Sequence, residues 1–513
     1  MLWILVAVLL VFWTAMSRWE NRRLLALAKQ LAPRSIALPF VGHAYRFLGN
    51  DEDRMETFKR MGREALEKSG LISHWQGSRL YILVADPEAA EVLLKSCLDK
   101  DDVMKFFRVL LGNGSIFAPV SIWRPRRKVL APTFSQKNLN SFVEVFSRQS
   151  RIMVEQLRDV AGRGAFSVWK YLTTYTMDSV CETTLGIQVN AQLKPEQPFL
   201  NAFENCCRLD ARRICQPWLY NDKLYRFFCT DDFELHSHSK ELIWSFMNKI
   251  IASKWESLKK EKIEYNASHS YKQSWKTFLE LLIESPGGYG NVELREETLV
   301  IVLAGTDTSA VGTAFTTVML AKYPDIQEKV YQELQEVLGN SDRPVTSEDL
   351  PRLKYLEAVI KETLRLYPPV PFIVRQVHND VTVPSGITLV GGCGLFISIW
   401  SIHRNPKYWG HDAELFRPER FIDTPLTHPA AFMPFSYGPR SCLGYQYAMM
   451  SMKTALATLL RRYRVRPSEA KNGLSEAKNG SSEAKNGSRE LRVKFDVMMK
   501  DVDDFAVQLD LRA

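Results

Sequence analysis

Phe435-Ser436-Tyr437-Gly438-Pro439-Arg440-Ser441-Cys442-Leu443-Gly444 is the most informative stretch of the chain, and an apolar helical pattern, YAMMSMKTALATLL, follows it. A cysteine at the start of a helix sits at the positive end of the dipole, among N–H groups with no partner inside the helix. Both effects favour thiolate, the form that binds metals. Gly438 and Gly444 permit a tight loop and the close approach of a flat ligand. Arg440 can neutralise a carboxylate on that ligand. A lone cysteine is ordinarily a buried core thiol. Five fixed positions in ten residues (Phe435, Gly438, Arg440, Cys442, Gly444) outweigh that reading here.

The other seven cysteines, at 97, 181, 206, 207, 215, 229 and 393, form no C-x-x-C pair and no even ladder. That excludes a disulfide-stapled scaffold and points to a reducing compartment, with these thiols as packing residues. The chain has 513 residues, 46% hydrophobic and 24% charged, which excludes fibrous and wholly disordered classes. Its net charge of +9 suits an anionic membrane surface or an acidic partner. No dense basic stretch is interleaved with aromatics, so nucleic acid is not an expected partner. A Rossmann fingerprint and a Walker loop are both absent, so no nucleotide site is expected either.

Four further segments bear on the site. Ala304-Gly305-Thr306-Asp307-Thr308-Ser309 lies in a long apolar helix from about Glu296 to Leu320. A mid-helix glycine costs about 1 kcal/mol against alanine, and Gly305 is read as making room for a ligand. Thr308 can loosen the ladder, and Asp307 places an acid beside it. Alone, this segment reads as a kinked structural helix. Glu362 and Arg365 are three apart on one helix face, 77 residues before Cys442, and precede Leu366-Tyr-Pro-Pro-Val-Pro. Phe416-Arg-Pro-Glu-Arg420-Phe and Trp123-Arg-Pro-Arg-Arg127 complete the set. By themselves these are surface pairs and a solvated basic face.

Together they resemble the cytochrome P-450 family of haem-thiolate monooxygenases, whose F-x-x-G-x-R-x-C-x-G haem loop is complete. The resemblance runs from about Pro33 to the C-terminus and includes His403–Gly410, HRNPKYWG. It implies haem b with Cys442 as axial thiolate, which pushes electron density onto the iron and favours O–O cleavage. It implies proton delivery to dioxygen by Asp307 and Thr308, and haem-propionate contacts from Trp123, Arg127 and Arg375. Glu362, Arg365 and Arg420 are implied to be a structural ion network. The implied fold is the cytochrome P-450 fold, a mainly α triangular prism with small β-sheets. The implied partners are a lipophilic substrate, an NADPH-dependent flavoprotein reductase, a small electron-transfer haem protein and membrane lipid. The haem loop and the Tyr-Pro-Pro region look most like the eukaryotic microsomal type, closest to the insect family 4 group. Some of that group esterify haem through a glutamate where this chain has Ala304, so that link is expected to be absent. Two departures are Pro33-Arg34-Ser35 in place of Pro-Gly-Pro, and Tyr445 where a small residue is commoner.

Residues 1–16 carry no charge, and Arg18, Arg22 and Arg23 follow. An uncleaved anchor over 1–19 is the reading preferred to a cleaved signal, because no basic n-region precedes the run. The following arginines place the body in the cytosol, on the endoplasmic reticulum membrane, and leave the N-x-S triplets at Asn113, Asn266, Asn479 and Asn486 silent. A proline-rich hinge over 20–45, or simply a linker, leads to a catalytic domain over 46–513. Within it, 468–488 repeats SEAKNG three times and reads as a flexible insertion. Helices are expected at Pro87–Leu94, Leu139–Val160 and Asp325–Leu338. Strands are expected at Arg79–Val84, Val381–Val383, Leu491–Val497 and Phe505–Leu511. The implied activity inserts one oxygen atom of O2 into a fatty acid, hormone or xenobiotic such as an insecticide. The alternatives are an oxygen-independent haem-thiolate isomerase and a silent haem- or ligand-binding protein.

Overall fold

The computed structural model describes residues 20–194, 196, 198–268, 277–285, 288–468 and 490–512. The anchor expected over 1–19, the triplets at Asn479 and Asn486, and all of the repeat beyond Ser468 lie outside the described residues. Along the chain come α1 (Asp51–Leu66), β1 (Leu71–Gln76), β2 (Arg79–Val84), α2 (Pro87–Ser96), α3 (Val120–Leu130) and α4 (Gln136–Leu157). Local chemistry starts the early helices. Asn50 and Asp53 close a capping box before α1, and Asp86 accepts from the Ala89 N–H at 2.8 Å before α2, where Pro87 takes the first position.

Next come β3 (Phe166–Ser167), α5 (Trp169–Val180), α6 (Pro198–Cys215), α7 (Thr230–Ser268), α8 (Asn291–Lys322), α9 (Pro324–Leu338) and α10 (Lys354–Leu366). The chain closes with β4 (Phe372–Gln376), β5 (Val381–Thr382), β6 (Thr388–Leu389), β7 (Gly394–Ser398), α11 (Tyr445–Arg462), β8 (Tyr463–Pro467), β9 (Val493–Asp496), β10 (Met498–Asp501) and β11 (Ala506–Leu511). The expected mainly helical body with small sheets is what forms.

Helix α8 is the axis. It is apolar and long enough to cross a membrane, yet 78% of its most apolar window is buried inside the protein. Glycines let neighbours press against it. A Cβ on Gly305 would lie 2.4 Å from Val180 Cγ2 of α5, and one on Gly312 would lie 2.8 Å from Met452 Sδ of α11. This corrects the reading of Gly305: the space it leaves is taken by α5, not by a ligand.

The main sheet runs β1-β2-β7-β4, parallel only between β2 and β7. After Arg79, strand β2 is apolar because both its faces are covered. Leu80, Ile82 and Val84 join a smaller core with Leu93 and Ile397, while Tyr81 and Leu83 face the main core around α8. The one strand expected at Leu491–Val497 is shorter, and it turns back at Val497 (φ +66°) to give β9 and β10. In the third sheet β11 pairs with both β8 and β3.

Candidate active site

The decapeptide folds back on itself before α11. The Cys442 N–H donates to Phe435 O at 2.8 Å, Ser436 and Gly438 adopt positive φ (65° and 75°), and α11 begins three residues after the cysteine. Gly438 is required twice over, because a Cβ there would also stand 2.9 Å from Leu94 O of α2. Gly444, at φ −90°, has only the Phe134 ring within reach of a Cβ, at 3.9 Å. The Phe435 ring packs edge-on against Tyr445 at 4.7 Å, so the unusual tyrosine supports the loop from outside.

All eight cysteines are free. Six are buried, Cys229 is half-buried beside Arg212, and Cys442 alone is exposed. That exposure is to internal space, since the sulfur is surrounded at longer range by protein on all sides. Burial pushes its thiol up, while the Gly444 N–H and the Arg127 charge oppose the shift. Among the described residues no cluster of three or more His, Cys, Asp or Glu could hold a metal. An iron held by Cys442 needs ligands beyond that one thiolate, and no such group of side chains offers them among the described residues. Haem meets that requirement.

The surroundings meet the other requirement, a home for two carboxylates. Arg375, on β4, is 1% exposed; its Nη1 donates to Val374 O at 2.9 Å and its Nε has no partner. Arg440 donates from Nη2 to Ala118 O, while its Nε and Nη1 have no partner. Burial holds both guanidinium groups down to about 10, helped by the Arg440 charge at Arg375 and by Arg108 and Arg127 at Arg440, where Asp99 opposes the shift. Lys100 joins them, pushed well down by burial first and then by the two arginines. Two buried arginines with unsatisfied donors, and a third cation beside them, are costly unless anions meet them. The Trp123 ring lies 4.6 Å from the Arg440 guanidinium and 5.9 Å from that of Arg127, which donates to Ser441 O at 2.8 Å. The expected Trp123, Arg127, Arg375 and Arg440 thus surround the Cys442 loop. Lys100 belongs to no motif, and only the fold brings it there.

On α8, Thr308 Oγ1 donates to Ala304 O at 2.6 Å, the back-bond expected to loosen the ladder. Asp307 is buried and faces Lys500 of β10. Glu362, Arg365 and Arg420 come together in one ion network. Glu362 accepts from Arg365 Nε at 2.7 Å and Arg420 Nε at 3.2 Å, with Glu362 and Arg365 fully buried. His403, part of the HRNPKYWG segment, completes this region. Its ring accepts the Met433 N–H at 2.8 Å through Nε2, so Nδ1 carries the proton and donates to Arg365 O at 3.0 Å.

The sequence profile described as Cytochrome P-450 matches residues 33–488. The chain belongs to the cytochrome P-450 family. It is 34% identical to human cytochrome P-450 4V2 over 85% of each chain. It is 32% identical to cytochrome P-450 4c21 of Blattella germanica (87% of this chain, 89% of that one) and 30% identical to cytochrome P-450 4d2 of Drosophila melanogaster (91% and 95%). These relatives support the family 4 group, the cytochrome P-450 fold and haem-thiolate monooxygenase chemistry, with haem as cofactor.

Proposed function

We propose that this chain is a membrane-tethered monooxygenase acting on a lipophilic substrate, with Cys442 as the haem thiolate and electrons from NADPH through a separate flavoprotein reductase. The carrying observation is the pair of buried arginines, Arg375 and Arg440, with partnerless donors beside the Cys442 loop, joined by half-buried Lys100. Haem, when bound, supplies the binding and cleavage of dioxygen. Arg375, Arg440 and Lys100 hold its propionates, with Trp123 between Arg440 and Arg127. Arg127 keeps a positive charge near the sulfur. Asp307 and Thr308 hold and move protons on α8, and their presence favours oxygen chemistry over the isomerase reading.

Aromatic rings support a lipophilic substrate. Phe372 packs 4.1 Å from Phe58 and 4.8 Å from Phe495, and Phe107 stacks on Phe117. Exposed Arg124 and Lys128 beside Trp123 suit an acidic reductase face. Exposed apolar residues support a membrane site on the endoplasmic reticulum. Phe40 is 94% exposed and Phe227 76%, with Ile36, Trp218 and Phe228 also exposed. Phe40 and Pro217 both border Gly77, so these segments share one side of the molecule.

The reduced-CO difference spectrum tests the thiolate. The wild type is expected to show the red-shifted thiolate band and Cys442→Ser to lose it; a band retained in the variant refutes the assignment. Consumption of NADPH with added reductase and formation of an oxygenated product then separate a monooxygenase from a silent binder.

A further inference from the structure

Lys500 is the centre of a buried charged cluster that the haem-binding residues do not use. Its ammonium lies 3.4 Å from Glu204 Oε1 on α6, 3.5 Å from Asp496 Oδ2 on β9 and 3.9 Å from Asp307 Oδ2 on α8. It also lies 4.6 Å from the ring centre of Trp169, whose indole N–H donates to Glu204. Asp307 is 3% exposed, Asp496 7% and Lys500 5%. One oxygen of each acid, Asp307 Oδ2 and Asp496 Oδ1, makes no hydrogen bond. The remaining titratable groups in range are the buried Cys207 and the half-buried Lys494.

Three carboxylates around one ammonium leave two uncompensated negative charges if all ionise. A buried site does not sustain that, so the cluster retains a proton. Burial pushes Asp307 up to about 6 and Asp496 up to about 7; Glu204 adds to both shifts and Lys500 opposes them. Geometry gives the cluster a direction. Glu204 is the member that reaches solvent, with its side chain 39% exposed, and Asp307 is the member adjoining Thr308 in the chain. The turn that holds Asp496 and Lys500 together is strained, since the β-branched Val497 sits at φ +66°.

We propose that Glu204, Asp496 and Lys500 form a proton-uptake station that refills Asp307, which rests on the reading of Asp307 and Thr308 as proton donors. As the Asp307 O–H breaks toward Thr308, the carboxylate left behind takes the proton of Asp496. Asp496 then takes one from water through Glu204. One proton enters for each that leaves, no electron moves, and Lys500 stays charged while stabilising whichever carboxylate is ionised. It is a positioning residue.

Infrared titration of the carboxyl C=O bands in the haem-loaded protein tests this alongside product formed per NADPH across pH. Glu204→Gln removes a negative charge, so the carboxyl midpoint and the alkaline limb of coupling are expected to fall by about 0.5–1 pH unit. Lys500→Met removes the cation and is expected to raise both, while Lys500→Arg stays near wild type. Midpoints that do not move, or that move the same way in both variants, overturn the proposal. If Lys500→Met does not fold, the half-exposed Glu204→Gln carries the test alone. Asp307→Asn separates the two readings: if it uncouples while Glu204→Gln and Lys500→Met change nothing, only the station falls. If it does not uncouple, the relay reading falls and takes the station with it.

Discussion

His403 joins two segments that lie 38 and 30 residues from it in sequence, Arg365 and Met433. The imidazole must be neutral to accept one N–H and donate the other. Burial, with Arg365 next, holds it down to about 3. His403→Leu is expected to cost about 2–4 kcal/mol near pH 7, because it strands a buried N–H and a buried carbonyl. The folded value lies below the unfolded one, so the unfolded state binds the extra proton and wild-type stability falls as pH drops from 6.5 toward 3. Urea unfolding near pH 5 is therefore expected to narrow the gap between wild type and variant by up to about 2 kcal/mol. An unchanged gap would mean the ring titrates normally. HRNPKYWG was readable as a segment, but the work of His403 was not, since it depends on partners distant in sequence. Lys100 was hidden for the same reason: its neighbours come from β4 and the cysteine loop. Cys442 and Arg440 were legible because the motif carrying them is itself local, whereas Arg375 lies in no motif and was reached only through the resemblance.

At the scale of elements, the close fit of α8 against α5 rests on one missing methyl group. Gly305→Ala places a Cβ 2.4 Å from Val180 Cγ2 and is expected to destabilise by about 1–3 kcal/mol through overpacking. Val180→Ala in the same chain is expected to recover part of that loss, which denaturant unfolding of the single and double variants measures. If Gly305 instead served a ligand, Val180→Ala would recover nothing. Strand β2 was readable to the residue, because a short β-branched and aromatic run between turn signals has few alternatives. Helix α8 starts earlier than its apolar pattern, since Glu293 accepts the Gly290 N–H at 3.0 Å and closes the first turn. The break at Val497 was not readable, because no glycine, asparagine or proline marks it. Strands β4 and β7 passed unmarked in sequence because helices and loops cover them, leaving little alternation.

For the whole molecule, buried titrating groups act on stability in opposite directions. The carboxyls of Asp307 and Asp496 have folded values above their usual 3.8, so the stability they favour is present at low pH and lost as pH rises through about 6 and 7. Asp496→Asn is therefore expected to stabilise the protein by about 1–3 kcal/mol near pH 8, with the gain vanishing near pH 4. Urea titrations at the two pH values check it; a gain equal at both would trace to packing instead. The same variant is expected to lower coupling, so the cluster exchanges stability for proton supply.

Strand β3 pairs with β11, and the Ser167 hydroxyl donates to Asp504 O, 337 residues further on. During synthesis at roughly 5–20 residues per second, Ser167 therefore waits roughly 20–70 s for this partner to be made. That seam cannot close until the ribosome has added those 337 residues. A nascent chain thus carries an open edge until those residues arrive, and a truncation before Ala506 would leave that edge open for good.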